Sequence, residues 1–90
     1  MQLKQYKKSI SQLNEALQVE QQNKIMSTEQ KSYLYYLMST NYANLKQLDN
    51  ALKNIETSLQ FKQNYKPALD FKDKLIRRKM SRNSERNEAR

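Results

Sequence analysis

The chain contains no glycine, no cysteine, no histidine and no tryptophan, and its one proline is Pro67. Each absence removes a class of structure or chemistry. A P-loop, a G-x-G-x-x-G turn and an Asn-Gly hairpin all need backbone that reaches positive φ without a Cβ penalty or that touches phosphate closely. Glycine-dependent phosphate loops are therefore excluded. Without Cys or His there is no disulfide, no thiolate nucleophile, no imidazole base and no soft or borderline donor set for zinc or copper. No run approaches the roughly 18 apolar residues of a membrane span, and the N-terminal MQLKQYKKS lacks the apolar region of a secretory signal. The expectation is an intracellular, soluble or complex-associated chain that is not an enzyme and takes no cofactor, metal or small-molecule substrate.

What is present is polar and basic. Ninety residues make one small domain. Hydrophobic residues are 37% of the chain, below the usual 45–50% or so of soluble domains, which include glycine in that figure. The core is expected to be thin. Lys and Arg number 17 against 9 Asp and Glu, a net charge of +8. Gln and Asn are scattered between apolar positions, which fits solvated helix faces better than a low-complexity tract.

Apolar spacing is helical almost throughout. Leu3, Tyr6, Ile10, Leu13 and Leu17 recur at intervals of three and four, which lays them on one stripe of a helix from Leu3 to about Gln21. Ser27 with Gln30 three residues on has capping-box spacing, so a second helix is expected near Thr28, with Tyr33, Leu34, Leu37, Met38, Tyr42 and Leu45 on a broad apolar face. Asp49 reads as the N-cap of a third helix whose stripe is Leu48, Leu52, Ile55 and Leu59. Pro67, with no N–H to leave unpaired, opens a fourth, with Ala68, Phe71, Leu75 and Ile76 facing inward. The segment 77–90 holds six of the cations and two Glu, and reads as a basic tail, either a helix extension or disordered.

An internal repeat underlies this order. A shift of 42 residues lays Tyr6 on Leu48, Ser9 on Ala51, Ile10 on Leu52, Leu13 on Ile55, Ala16 on Ser58 and Leu17 on Leu59. Large residues fill grooves, and small ones let a neighbouring helix approach. The pattern resembles the tetratricopeptide (TPR) repeat. With Ser32 as first position, Met38 and Ser39 stand at the family's Leu and Gly, Tyr42 at its aromatic, and Leu48, Ala51, Ile55 and Ser58 along its second helix. Tyr35 replaces the family's Trp, Ser39 its small Gly and Gln63 its closing Pro. The longer period is similar to the TPR variety of kinesin-light-chain-like proteins. A second resemblance, through TEQKSYLYYL and NYANLKQLDNALK, is to the cytosolic domain of the mitochondrial fission Fis-one family, whose membrane anchor this chain lacks and whose function is not carried over. The expected fold is all-α: a short TPR-like array of about four helices over residues 1–76, made of a half repeat at 3–21, a full repeat at 28–63 and a capping helix at 67–76 or beyond. An ordinary antiparallel bundle or coiled coil is the plainer alternative.

Two groups of residues are candidates for function. Tyr6, Ile10 and Leu13 lie on a repeat edge with no helix before it, and Tyr35, Tyr36 and Tyr42 cannot all face the core, so these six are candidate contacts for other protein chains of a larger complex. The plainer reading is that the rings wedge between helices. Arg77, Arg78, Lys79, Arg82 and Arg86 are candidates for an acidic protein surface, anionic lipid or RNA phosphate; the plainer reading is a solvated charge run, and no interleaved aromatic signals base stacking. The functional expectation is a non-catalytic interaction module, adaptor or structural subunit. The alternative is a ribonucleoprotein-type subunit that binds nucleic acid through the tail with Lys4, Lys7 and Lys8. Asp70 and Asp73 read as surface charges paired with Lys66, Lys74 or Arg77.

Overall fold

The computed structural model describes the backbone of residues 3–88 and the side chains of residues 5–81. Among the described residues there are four helices and no strand: α1 (Leu3–Asn23), α2 (Thr28–Asn44), α3 (Leu48–Phe61) and α4 (Lys66–Glu88). The protein is all-α.

The helix ends show how a chain without glycine turns corners. At the start of α2 the Ser27 hydroxyl accepts from Gln30 N at 3.1 Å and Gln30 Oε1 accepts from Ser27 N at 2.9 Å, the expected capping box. At its end Gln47 N donates to Tyr42 O and Lys46 N to Ala43 O, each at 2.9 Å. That is the hydrogen-bond pattern of a Schellman turn, and it holds Lys46 at φ 64 where glycine would normally sit. Lys24 takes the same role after α1, at φ 53, with its N–H on Glu20 O at 2.7 Å.

The start of α3 differs from expectation. Because the Schellman turn closes through Gln47, α3 begins at once with Leu48; Gln47 stands at the N-cap without a side-chain bond to the helix backbone, its Oε1 accepting instead from Asn50 Nδ2 at 2.8 Å, and Asp49 falls inside the first turn. The Asp49 carboxylate meets Lys79 of α4 at 2.8 Å instead. α4 begins at Lys66 with Pro67 second, still within the turn whose N–H groups lack helical partners. It continues without a break across residues 76 and 77, so the basic segment is helix as far as Glu88.

Cross-helix pairs establish direction. Ser32 opposes Ser58 and Ser39 opposes Ala51, so a step of seven up α2 is a step of seven down α3. Lys72–Glu56 and Lys79–Asp49 repeat the relation between α4 and α3. Neighbouring helices are antiparallel, and α2 and α4 therefore run parallel. The ion pairs mark register rather than drive folding, since exposed pairs contribute about 0–1 kcal/mol. Among the described residues Asp70 and Asp73 take part in no salt bridge: Lys72, reaching α3, is the cation that pairs from their turn.

The core belongs to α2, α3 and α4. Ala43, Leu48, Ala51, Ile55, Ala68 and Leu75 form one buried cluster, with Tyr36, Tyr42, Leu52, Leu59, Tyr65 and Phe71 packed around it. Small residues set the spacing of α2 and α3. The Ser32 hydroxyl donates to Ser58 O at 2.9 Å, Ser58 returns a bond to Ser32 O at 2.6 Å, and Ser39 donates to Ala51 O at 2.6 Å, all fully buried. Each hydroxyl is thus satisfied by a carbonyl across the contact, and the backbones come close because nothing larger intervenes. Ile76, expected inside, is 37% exposed, one helical step round from Leu75. The molecule measures 51 × 32 × 17 Å with a radius of gyration of 14.5 Å, against about 12 Å for a compact chain of this length. A slab less than two helix diameters thick gives most side chains a solvent side.

Among the described residues α1 packs against α2 alone. Of its described side chains, the stripe supplies one buried apolar residue, Ile10, with Tyr6, Leu13, Ala16 and Leu17 half-buried. The other buried one is Glu20, 4% exposed. Glu20 Oε1 accepts from Ile25 N and Met26 N, both at 2.8 Å, and Oε2 lies 3.1 Å from Lys31 Nζ of α2. Burial raises the carboxyl's proton affinity, but the Met26 and Ile25 amides and the Lys31 ammonium outweigh it and hold the group below its ordinary 4.5. One carboxylate thereby closes the α1–α2 loop and fastens its two helices.

Candidate functional site

The parallel helices α2 and α4 lie on either side of an open groove of about 410 Å³, lined by Tyr36, Lys66, Pro67, Asp70, Phe71 and Lys74. Local sequence builds it. Tyr33 and Tyr36 are three apart on α2 and so share a face. The loop after α3 ends in Tyr65 immediately before α4 begins, and the first turns of α4 carry Lys66, Asp70 and Lys74 at intervals of four beside Phe71.

Tyr36 is the centre of the groove. Its ring meets Tyr65 and Phe71 edge-on, both at 5.9 Å between centroids and at 82° and 77°, and Tyr33 in an offset stack at 6.5 Å. These are the arrangements that aromatic quadrupoles favour. Tyr33 is half exposed, so the cluster has an open face. Lys62 lies 5.6 Å from the Tyr65 ring centroid, and Lys66 and Lys74 are exposed along the rim. Burial raises the Tyr65 phenol above its ordinary 10, with Tyr36 and Tyr33 adding to the shift. The floor is aromatic, and the rim is mostly cationic, with Asp70 its one acid. Such a surface holds side chains by stacking, apolar contact and charge.

The other sequence candidates are dispersed. Ile10 is 9% exposed in the chain's own α1–α2 contact, and Tyr6 and Leu13 are half-buried there, Leu13 beside a shallow cleft with Leu37 and Asn41. Tyr35 stacks on Phe61 at 5.6 Å, with the Lys31 ammonium 5.6 Å from that ring's centroid, so it serves the α2–α3 contact. Tyr42 packs on the core. Of these α2 tyrosines, Tyr36 alone enters the groove. Arg77, Arg78 and Lys79 are exposed on α4, Lys79 paired with Asp49; the side chains of Arg82 and Arg86, like that of Lys4, lie outside the described residues.

Tyr65, Phe71, Lys66 and Lys74 were not singled out from sequence as a site. Pro67 carried the signal: it fixes where α4 starts, hence which residues of its first turns face α2. No group of His, Cys, Asp and Glu able to hold a metal occurs among the described residues, and no described helix is long and apolar enough to cross a membrane. Compared with known proteins, the chain matches no family model, no curated protein and no solved structure.

Proposed function

We propose that the protein is a non-catalytic interaction module, an adaptor or structural subunit of a larger assembly, and that its docking site is the α2–α4 groove. The observation that carries this reading is Tyr36 at the centre of an aromatic cluster that stays open to solvent through the half-exposed Tyr33, under a rim of lysines. Such rings present large, stiff contact area at little entropic cost. A second support is surplus surface. The chain exposes 6758 Å², where a compact monomer of its 10.8 kDa would expose about 5,500 Å². The close α2–α3 contact at Ser32, Ser39, Ala51 and Ser58 supports a TPR-like reading of the hairpin, in which a helix pair offers its face to a partner.

The second reading is a subunit bound to nucleic acid, and what favours it is the continuous helix that carries exposed Arg77 and Arg78. Phosphate contacts of this kind weaken steeply with salt. Partner capture by the purified chain, with and without nuclease and across a salt titration, separates the two. Capture that survives nuclease and is lost in Tyr33→Ala supports the groove. Capture that is lost with nuclease, with a slope of several counterions removed by Arg77→Ser and Arg78→Ser, overturns it.

A further inference from the structure

The groove does not end at Lys74. A second open cleft, also about 410 Å³, is lined by Ala43, Lys46, Leu48, Arg78 and Ser81. Its lining repeats that of the first cleft one heptad further on: Ala43 follows Tyr36 by seven residues on α2, and Arg78 and Ser81 follow Phe71 and Lys74 by seven on α4. Because α2 and α4 run parallel, both walls advance together by two helical turns, roughly 10.5 Å at 1.5 Å per residue. The two clefts are successive pockets along one seam.

We infer that this seam is the docking track for a single acidic, amphipathic helix of a partner protein, with apolar anchor residues seven positions apart, one in each pocket. The inference rests on the interaction-module reading and names the partner's chemistry. Spacing selects a helix over an extended segment. Residues i and i+7 of a helix share a face and stand roughly 10.5 Å apart. In an extended chain at about 3.3 Å per residue, side chains on one face are roughly 6.6 or 13.2 Å apart, and neither matches.

Charge selects an acidic partner. Lys66, Lys74, Lys46 and Arg78 line the two pockets, against Asp70 as the acid. Lys46 and Arg78 are exposed and, among the described residues, in no ion pair. A second copy of the chain, itself at +8, is a poor occupant of a cationic seam. Nucleic acid makes no use of two separate apolar floors, of which the second, Ala43 and Leu48, offers no ring to a base.

The test uses helix-stapled acidic peptides, fluorescently labelled, and the full chain. One peptide has leucine anchors at i and i+7, a second has them at i and i+5, a third has one anchor, and an RNA oligonucleotide of equal charge is the control. The i, i+7 peptide is expected to bind about tenfold tighter than the second and third, on the scale of one additional buried anchor. Ser81→Phe, at an exposed position, should fill the second pocket, bring the i, i+7 peptide down to single-anchor affinity and leave the single-anchor peptide unchanged, with the helical circular dichroism intact. Equal binding of the i, i+7 and i, i+5 peptides overturns the two-pocket register while leaving an acidic partner standing. Binding of RNA but of no peptide overturns both the register and the interaction-module reading.

Discussion

Two halves of this molecule are held together by different physics. α2, α3 and α4 share an apolar core centred on Ile55 and Leu75, both fully buried. α1 is held by one buried isoleucine, a half-buried stripe and the Glu20 carboxylate. Apolar burial is non-directional and cooperative, so the three-helix part should fold and unfold as a unit. A helix docked on one neighbour through a polar clip can leave by itself, at the low end of the range of local stabilities. A chain this poor in apolar residues places most of what it has where three helices meet.

The sharpest way to break the comparison is to cut one side chain from each half. Ile55→Ala should cost about 2–5 kcal/mol, a large share of the stability of a domain of this size, and circular dichroism should show loss of helix throughout. Ile10→Ala should remove only the signal of α1, leaving the α2–α4 melting transition in place. If both variants lost all helix together, the halves would be one cooperative unit.

Next in size is the close contact of α2 and α3. Ser39→Leu puts a branched side chain where the Ser39 hydroxyl now touches Ala51 O at 2.6 Å, and overpacking there should cost about 1–3 kcal/mol. Ser39→Ala keeps the spacing, loses a single hydrogen bond and should cost about 1 kcal/mol or less. Chemical denaturation of the two variants measures the difference. A leucine variant as stable as the alanine one would mean that small residues do not set the helix spacing.

The Glu20 clip should respond to pH. Its folded proton affinity is lowered, so the charged form is the one that folding favours. The stabilisation is therefore fully present above the ordinary carboxylate value of 4.5 and is lost as pH falls below it, through the folded value. On acidification from neutral pH, hydrogen exchange should show α1 amides losing protection before those of α3, and Glu20→Gln should show that pattern already at neutral pH. Simultaneous loss in α1 and α3 would remove the distinction between the halves.

Sequence periodicity foretold the helices because it reports burial, and burial made them. The stripe of Leu48 and Ile55, the capping box at Ser27 and the turn-opening Pro67 were all legible, since each is a local pattern with a local cause. What was not legible depended on pairs distant in sequence. Ser32 looked like the start of a repeat, and its buried exchange with Ser58 exists only once α2 and α3 are side by side. Glu20 belongs to no sequence motif, and only the loop's return brings Ile25, Met26 and Lys31 to it. Asp49 has an N-cap's chemistry but not its place, because the preceding turn consumed the residue before it. The groove was half visible: Tyr36 was a candidate, but the choice among adjacent tyrosines needed the position of α4.

The smallest effect expected concerns the missing glycine. Lys46 and Lys24 both hold left-handed backbone, at φ 64 and φ 53, a conformation that costs a residue with a Cβ about 1–2 kcal/mol. Replacement by glycine removes that strain, but the freer unfolded chain offsets roughly 0.4–1 kcal/mol of the gain. Lys46→Gly, inside the cooperative half, should therefore raise the main melting temperature by about 2–8 °C, for a net gain of about 0.5–1 kcal/mol. Lys24→Gly relieves the same strain in the α1–α2 loop, so it should slow hydrogen exchange in α1 and leave the main transition unmoved. Lys46 also lines the second pocket of the seam, so its replacement should weaken the acidic two-anchor peptide while strengthening the fold. Stability and binding would then move in opposite directions at one position, which is the behaviour of a strained residue retained for its side chain.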